Sequence, residues 1–260
     1  MNFKNLIKYN NKIIEGVYLF AILIIPLSFS PEEIFGFYQF PKEFLLHFSS
    51  SILLILIGFK LIFEPAQIIN KINSNKLAIS SVFLFLFSYL ISSFFSVNKL
   101  GSFFGREYGV SANSFQTYLA LSIIFLSIFI VYENNKNIIR ILKSFIISTT
   151  LISIVGLLQF IAPNIFETFT FYHQDRIVST LGNPIYFGSV LMIGIQLSII
   201  YFLLFYKLEE KNGINLVYPL ILISIQISAL FLTLSRGPLY SFVIGISIIF
   251  LSYIFLCSKS

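Results

Sequence analysis

The stretch LYSFVIGISIIFLSYIFLC, Leu239–Cys257, contains no charged side chain. At 1.5 Å per residue, a helix of this length spans about 28 Å, close to the thickness of the hydrocarbon core of a bilayer. Similar apolar stretches recur along the whole chain. We therefore predict eight membrane-spanning helices, near Ile13–Phe29, Phe44–Phe63, Leu77–Ser96, Phe115–Tyr132, Ser144–Ala162, Tyr186–Tyr206, Ile214–Leu234 and Leu239–Cys257.

The composition supports the same fold class. The 260 residues are 57% hydrophobic and 11% charged, whereas roughly a quarter of the residues of a soluble domain are charged. This excludes a soluble enzyme and predicts an all-α, polytopic transmembrane helix bundle that forms a single domain over residues 1–260. The single cysteine, Cys257, excludes an internal disulfide and a cysteine-based metal cluster.

The distribution of basic residues predicts the orientation. With a cytoplasmic N-terminus, 12 of the 17 Lys and Arg residues lie on the inner side, as the positive-inside rule requires. Both termini are then cytoplasmic. Lys60, near the inner end of the second span, is expected to extend its ammonium group to the interface. The basic residues are scattered over several loops, so no nucleic-acid partner is expected.

Three of the four arginines fall on the outer side, against the positive-inside trend. Arg106, Arg176 and Arg236 each lie shortly before, or at the start of, an inward-running span. Helix N-termini carry partial positive charge, and arginine binds phosphate oxygens in a bidentate manner. These residues therefore indicate a site for a phosphate-bearing ligand at the membrane interface. The alternative is three unrelated arginines paired with lipid headgroups or with Glu107 and Asp175.

The sequences that follow Arg176 and that surround Arg236 are typical of helix starts. In Gly182-Asn183-Pro184, asparagine is a favoured N-cap, proline suits the first helical position, and glycine allows close approach of a ligand. In Ser235-Arg236-Gly237-Pro238, Ser235 is a candidate N-cap. Capping alone accounts for these residues except Arg236, since a lone cation at membrane depth costs a few kcal/mol unless it is paired.

The sequence resembles the O-antigen ligase and polymerase superfamily of bacterial polysaccharide membrane proteins. The similarity covers the chain from about residue 90 onward. The fragments that carry it are Ser96-Val97-Asn98 through Gly101-Ser102, Gly105-Arg106-Glu107-Tyr108-Gly109, Gly156-Leu157-Leu158-Gln159, Arg176 through Gly182-Asn183-Pro184, and Leu234-Ser235-Arg236-Gly237.

This resemblance implies a glycosyltransferase at the outer, periplasmic face of the bacterial inner membrane. Its donor would be a glycan on undecaprenyl diphosphate and its acceptor a glycan, a lipid or a protein, within surrounding membrane lipids. Arg176 and Arg236, and less closely Arg106, match the arginine-bearing motifs that hold the diphosphate, together with Gly182 and Asn183. No metal or other cofactor is expected.

Two departures from the family pattern affect the predicted catalytic residues. Ile185 replaces the second asparagine of the common Gly-Asn-Pro-Asn motif. Family members also have about a dozen spans and a large outer loop that carries a catalytic histidine, so residues 1–260 are expected to correspond to the N-terminal part of such an enzyme. The candidate base within the chain is His173, three residues before Arg176.

Two other classes of function remain open. A transporter or lipid flippase is also built from apolar helices, although it usually carries ionisable residues or broken helices near the bilayer midplane. A non-catalytic assembly subunit is the third possibility, because no catalytic base is evident apart from His173.

Overall fold

The computed structural model describes residues 3–30, 38–105, 113–131, 135–166, 176–203 and 217–257. Over these residues the chain is helical and contains no strand, which confirms the predicted all-α class. The α-helices are α1 Phe3–Leu27, α2 Gln39–Phe63, α3 Pro65–Ser74, α4 Lys76–Phe94, α5 Lys99–Phe104, α6 Phe115–Val131, α7 Asn135–Ile161, α8 Pro163–Phe166, α9 Pro184–Tyr201, α10 Val217–Leu232 and α11 Arg236–Cys257.

In the described part of the chain, six helices are long and apolar enough to cross a membrane: α1, α2, α4, α7, α9 and α11. Helices α6 and α10 are apolar but shorter. In hydrocarbon, a helix satisfies all of its interior backbone N–H and C=O groups, which explains why each predicted span overlaps a helix. Residues 132, 204–206 and 214–216 of these spans lie outside the described residues. The number of eight spans and the cytoplasmic location of both termini remain predictions.

The chain forms two compact units, residues 1–25 with 32–138, and residues 26–31 with 139–260. In the first unit, α1 and α2 run antiparallel: Asn10 donates a hydrogen bond to the carbonyl oxygen of Leu56, and Ile14 packs against Leu53. Helix α6 packs on the same pair, and α4 packs on α6 through the rings of Tyr89 and Tyr118, whose centroids are 4.3 Å apart.

The ammonium group of Lys60, near the end of α2, is packed within the first unit. Lys60 is only 2% exposed. Its Nζ atom donates a hydrogen bond to Asn11 Oδ1 on α1 at 2.7 Å and lies 3.7 Å from Glu64 Oε2. Asn11 and the Glu64 carboxylate, four residues after Lys60, take the place of water around the ammonium group. Such partners stabilise a buried cation.

The second unit is built around α7, α9, α10 and α11. Its core contains Ile152, Phe187, Leu191, Ile195 and Leu230, each fully buried. Helices α7 and α9 run antiparallel and approach closely where two glycines lack a side chain. A Cβ atom at Gly156 would lie 2.8 Å from the Phe187 ring, and one at Gly194 would lie 2.7 Å from Thr149.

A buried polar cluster joins three helices of this unit. The Gln226 side-chain amide on α10 donates to the hydroxyl oxygens of Thr149 (3.2 Å) and Thr150 (2.9 Å) on α7, and accepts from Ser198 on α9. Gln226 and Ser198 have no exposed surface. Such interhelical hydrogen bonds fix the register of apolar helices that otherwise slide past one another at little cost.

Candidate phosphate-binding site

Residues 176–183, which we call the inserted segment, lie outside the predicted spans and yet are packed into the second unit. Ile177, Val178, Ser179 and Thr180 are at most 5% exposed. Their backbone has no regular secondary structure at residues 176–178 and forms a short 3₁₀ helix over Ser179–Leu181. Buried non-helical backbone requires hydrogen-bond partners from neighbouring elements.

Gln159, in the last turns of α7, supplies partners for the middle of the inserted segment. Its Oε1 atom accepts from the backbone N–H of Ser179 at 2.7 Å and of Val178 at 3.4 Å. Its Nε2 atom donates to the Ser179 carbonyl oxygen at 3.4 Å. One side-chain amide therefore satisfies three main-chain groups.

Further hydrogen bonds attach the inserted segment to three other places in the second unit. Ser179 Oγ donates to the carbonyl oxygen of Ile152, nine residues before the end of α7. Thr180 Oγ1 donates to the carbonyl oxygen of Pro26. The N–H of Ile177 donates to the carbonyl oxygen of Leu232 at the end of α10. The segment is therefore a fixed part of the fold.

The end of the inserted segment starts α9 as the sequence predicts. Gly182 adopts φ 70°, a left-handed conformation that favours glycine. Asn183 is the N-cap: its Oδ1 accepts from the backbone N–H of Ile185 at 2.8 Å, and Pro184 occupies the first helical turn. In the described structure, the Asn183 side chain thus caps its own helix.

Arg176, the first residue of the inserted segment, bonds to the turn between α10 and α11. Its Nε atom donates to the Thr233 carbonyl oxygen and its Nη2 atom to Ser235 Oγ, both at 2.8 Å. These two donors form the side edge of the guanidinium group. The three remaining N–H donors of the five, on Nη1 and Nη2, make no hydrogen bond to the described residues.

Ser235 links Arg176 to two helix starts. Besides accepting from Arg176, its hydroxyl donates to the carbonyl oxygen of Pro184 at 3.0 Å. It precedes α11, and its carbonyl oxygen accepts the first bond of that helix, from Leu239 N–H. The predicted capping position is therefore right, but the hydroxyl holds α9 and Arg176 instead of bonding back to its own helix.

The starts of α9 and α11 lie side by side, and the two helices run parallel. Pro184 meets Ser235, a Cβ atom at Gly188 would lie 3.0 Å from Pro238, and Gln196 reaches the carbonyl oxygen of Ser241. Parallel neighbours place two positive dipole ends together. Arg176 adds a full positive charge beside them.

Arg236 begins α11 and is exposed. Its neighbour in the chain is Ser235, which accepts a hydrogen bond from the Arg176 side chain. Neither guanidinium forms an ion pair with a carboxylate of the described residues. Two predicted site residues, Arg106 and His173, lie outside the described residues, as do Glu107 and Asp175.

Two residues of this site were not singled out from the sequence. Thr233 is fully buried, and its carbonyl oxygen accepts from Arg176. Gln159 appeared only as part of a motif, with no predicted role. The sequence feature that could have indicated Gln159 is an amide side chain near the end of an apolar helix. An amide group that is buried there requires hydrogen-bond partners.

No protein-family model, no curated protein and no solved structure matches this chain.

Proposed function

We propose that this chain is a membrane glycosyltransferase similar to the O-antigen ligases and polymerases. It would act on a glycan carried by undecaprenyl diphosphate at the outer face of the bacterial inner membrane. The observation that supports the proposal is the hydrogen bonding of Arg176. Thr233 and Ser235 hold one edge of its guanidinium group, while the other edge has no partner among the described residues.

That arrangement suits phosphate recognition. A guanidinium group held along its Nε–Nη2 edge retains two parallel N–H donors at its Nη1–Nη2 end. This pair matches the spacing of two phosphate oxygens and is the basis of bidentate binding. Because the side chain is already ordered, binding a phosphate would immobilise little further rotamer freedom.

The neighbouring helix starts add to the preference for an anion. Helices α9 and α11 have 18 and 22 residues, long enough for a developed dipole, and their N-termini are adjacent. Arg236 contributes a second guanidinium group at the same end of α11. A diphosphate carries more negative charge than a single carboxylate and would neutralise both arginines.

The proposed chemistry follows from this charge distribution. An acceptor hydroxyl attacks the anomeric carbon of the lipid-linked sugar, the bond from that carbon to the diphosphate oxygen breaks, and undecaprenyl diphosphate leaves. Arg176 and Arg236 stabilise the negative charge that develops on the leaving group. The acceptor proton requires a base, for which His173 remains the prediction, and Gly182 would let the backbone approach the ligand.

A transfer assay with the full chain tests the proposal. The protein is reconstituted with a glycan on undecaprenyl diphosphate and with glycan, lipid and protein acceptors, and released undecaprenyl diphosphate is measured. We expect release in the presence of one acceptor and its loss in Arg176→Ala. Lys99→Arg, an exposed position at the start of α5, is the matched control.

Other results would favour the other classes. Movement of the intact lipid-linked glycan between leaflets, without cleavage of the sugar–phosphate bond, would contradict the proposal and favour a flippase. No binding, movement or cleavage would favour an assembly subunit.

A further inference from the structure

We propose that Gln159 is the positioning residue of Arg176, although no hydrogen bond joins the two side chains. Gln159 would fix the inserted segment and thereby the position of the guanidinium group. The effect of Gln159 on ligand affinity rests on the proposed phosphate-binding function. Three hydrogen bonds join the Gln159 amide to the main chain of Val178 and Ser179.

The backbone at this point needs external support. Ser179 has φ 52°, a left-handed conformation that costs a non-glycine residue free energy. Its N–H points to Gln159 Oε1, and its carbonyl oxygen lies against Gln159 Nε2. Without the amide, two backbone N–H groups, of Val178 and Ser179, would be buried without an acceptor, so the local backbone would rearrange.

Such a rearrangement would be transmitted to Arg176. Only Ile177 separates Arg176 from Val178, and the Ile177 N–H donates to the carbonyl oxygen of Leu232. Arg176 must place Nε and Nη2 at 2.8 Å from two acceptors at once. A shift of about 1 Å in the backbone would break that double contact, and misplacement of this size can cost about 100-fold in catalytic rate.

Three variants separate positioning from general stability. Gln159→Leu removes both the acceptor and the donor at similar volume. Gln159→Glu keeps an oxygen acceptor for the N–H groups of Val178 and Ser179. Gln196→Leu makes the same change on α9, where the side chain donates to the Ser241 carbonyl oxygen at 3.5 Å and lies against Gly245. It serves as the control for the change in hydrophobicity.

The first measurement needs no ligand. Hydrogen–deuterium exchange of the full chain in nanodiscs is followed for peptides that cover residues 176–181 and 231–237. We expect at least tenfold faster exchange in both peptides for Gln159→Leu, near wild-type exchange for Gln159→Glu, and no change for Gln196→Leu. Unchanged exchange in Gln159→Leu would overturn the proposal, as would faster exchange confined to residues 176–181.

The second measurement is the affinity for farnesyl diphosphate, with farnesyl monophosphate and inorganic pyrophosphate as comparison probes. We expect affinity for farnesyl diphosphate to fall about tenfold in Gln159→Leu and to be restored in Gln159→Glu. A wild-type protein that binds none of the probes would contradict the proposed function but leave the exchange result to decide the role of Gln159. Wild-type affinity in Gln159→Leu, with faster exchange in both peptides, would overturn the link from Gln159 to the ligand.

Discussion

Arg176 Nη2 lies 2.8 Å from Ser235 Oγ, although the two residues are 59 positions apart in the chain. The same hydroxyl donates to the carbonyl oxygen of Pro184. One serine thus joins the inserted segment to the starts of α9 and α11. The arrangement couples the geometry of a cation to the packing of two parallel helices.

Replacing Arg176 by lysine should weaken phosphate binding more than replacing Arg236 by lysine. Lysine keeps the charge but cannot donate to Thr233 and Ser235 while also offering a bidentate edge. We expect the affinity for farnesyl diphosphate to fall at least tenfold in Arg176→Lys and by a smaller factor in Arg236→Lys, as measured by calorimetry. Equal affinity of wild type and Arg176→Lys would refute the role of the guanidinium group.

Ser235→Ala should reduce diphosphate affinity without unfolding the protein. It removes the acceptor of Arg176 Nη2 and the donor to Pro184, and a hydrogen bond of this kind contributes about 1 kcal/mol, roughly fivefold in affinity. The matched control is Ser247→Ala, in α11, where the exposed hydroxyl bonds to the carbonyl oxygen of Val243 one turn earlier. If both variants bind equally well, Ser235 does not hold the site.

Gly194→Ala should destabilise the second unit. The added Cβ atom would lie 2.7 Å from Thr149, and forcing α7 and α9 apart costs typically 1–3 kcal/mol. Gly16→Ala, in α1, meets nothing within 4 Å and should be neutral or slightly stabilising, because alanine is the better helix former. Thermal unfolding in detergent compares the two variants, and a Gly194→Ala melting temperature at or above that of wild type would contradict this packing.

The orientation of the chain can be tested with two asparagines. In a Cys257→Ser background, Asn113→Cys should react with an impermeant thiol reagent in intact cells. Asn73→Cys, in α3, should react only after permeabilisation. Both positions are exposed, so a difference reports the side of the membrane. The reverse labelling pattern would place both termini outside.

The long apolar helices could be predicted from the sequence because their hydropathy indicates them, whereas the short helices α3, α5 and α8 were not predicted. An uncharged stretch such as Leu239–Cys257 has only one way to satisfy its backbone in lipid, and it forms most of α11. The start of α9 was also predictable, since Asn183 and Pro184 act on residues one or two positions away.

The inserted segment could not be predicted, because its partners are distant in the chain. Ser235 has the sequence context of an N-cap, and only the packing of α9 against α11 shows that its hydroxyl bonds to Pro184 and Arg176 instead. The hydrogen bond of Lys60 to α1 could likewise not be predicted. The burial of Lys60 depends on Asn11, 49 positions away.

The most direct test of the proposed function is a structure of the full chain in a nanodisc with undecaprenyl diphosphate, solved with a bound antibody fragment. We predict phosphate oxygens about 3 Å from Nη1 and Nη2 of Arg176, beside the first turns of α9 and α11, with the bonds from Arg176 to Thr233 and Ser235 retained. Undecaprenyl diphosphate bound elsewhere, with the Nη1–Nη2 edge of Arg176 occupied by a carboxylate of the protein, would contradict the account.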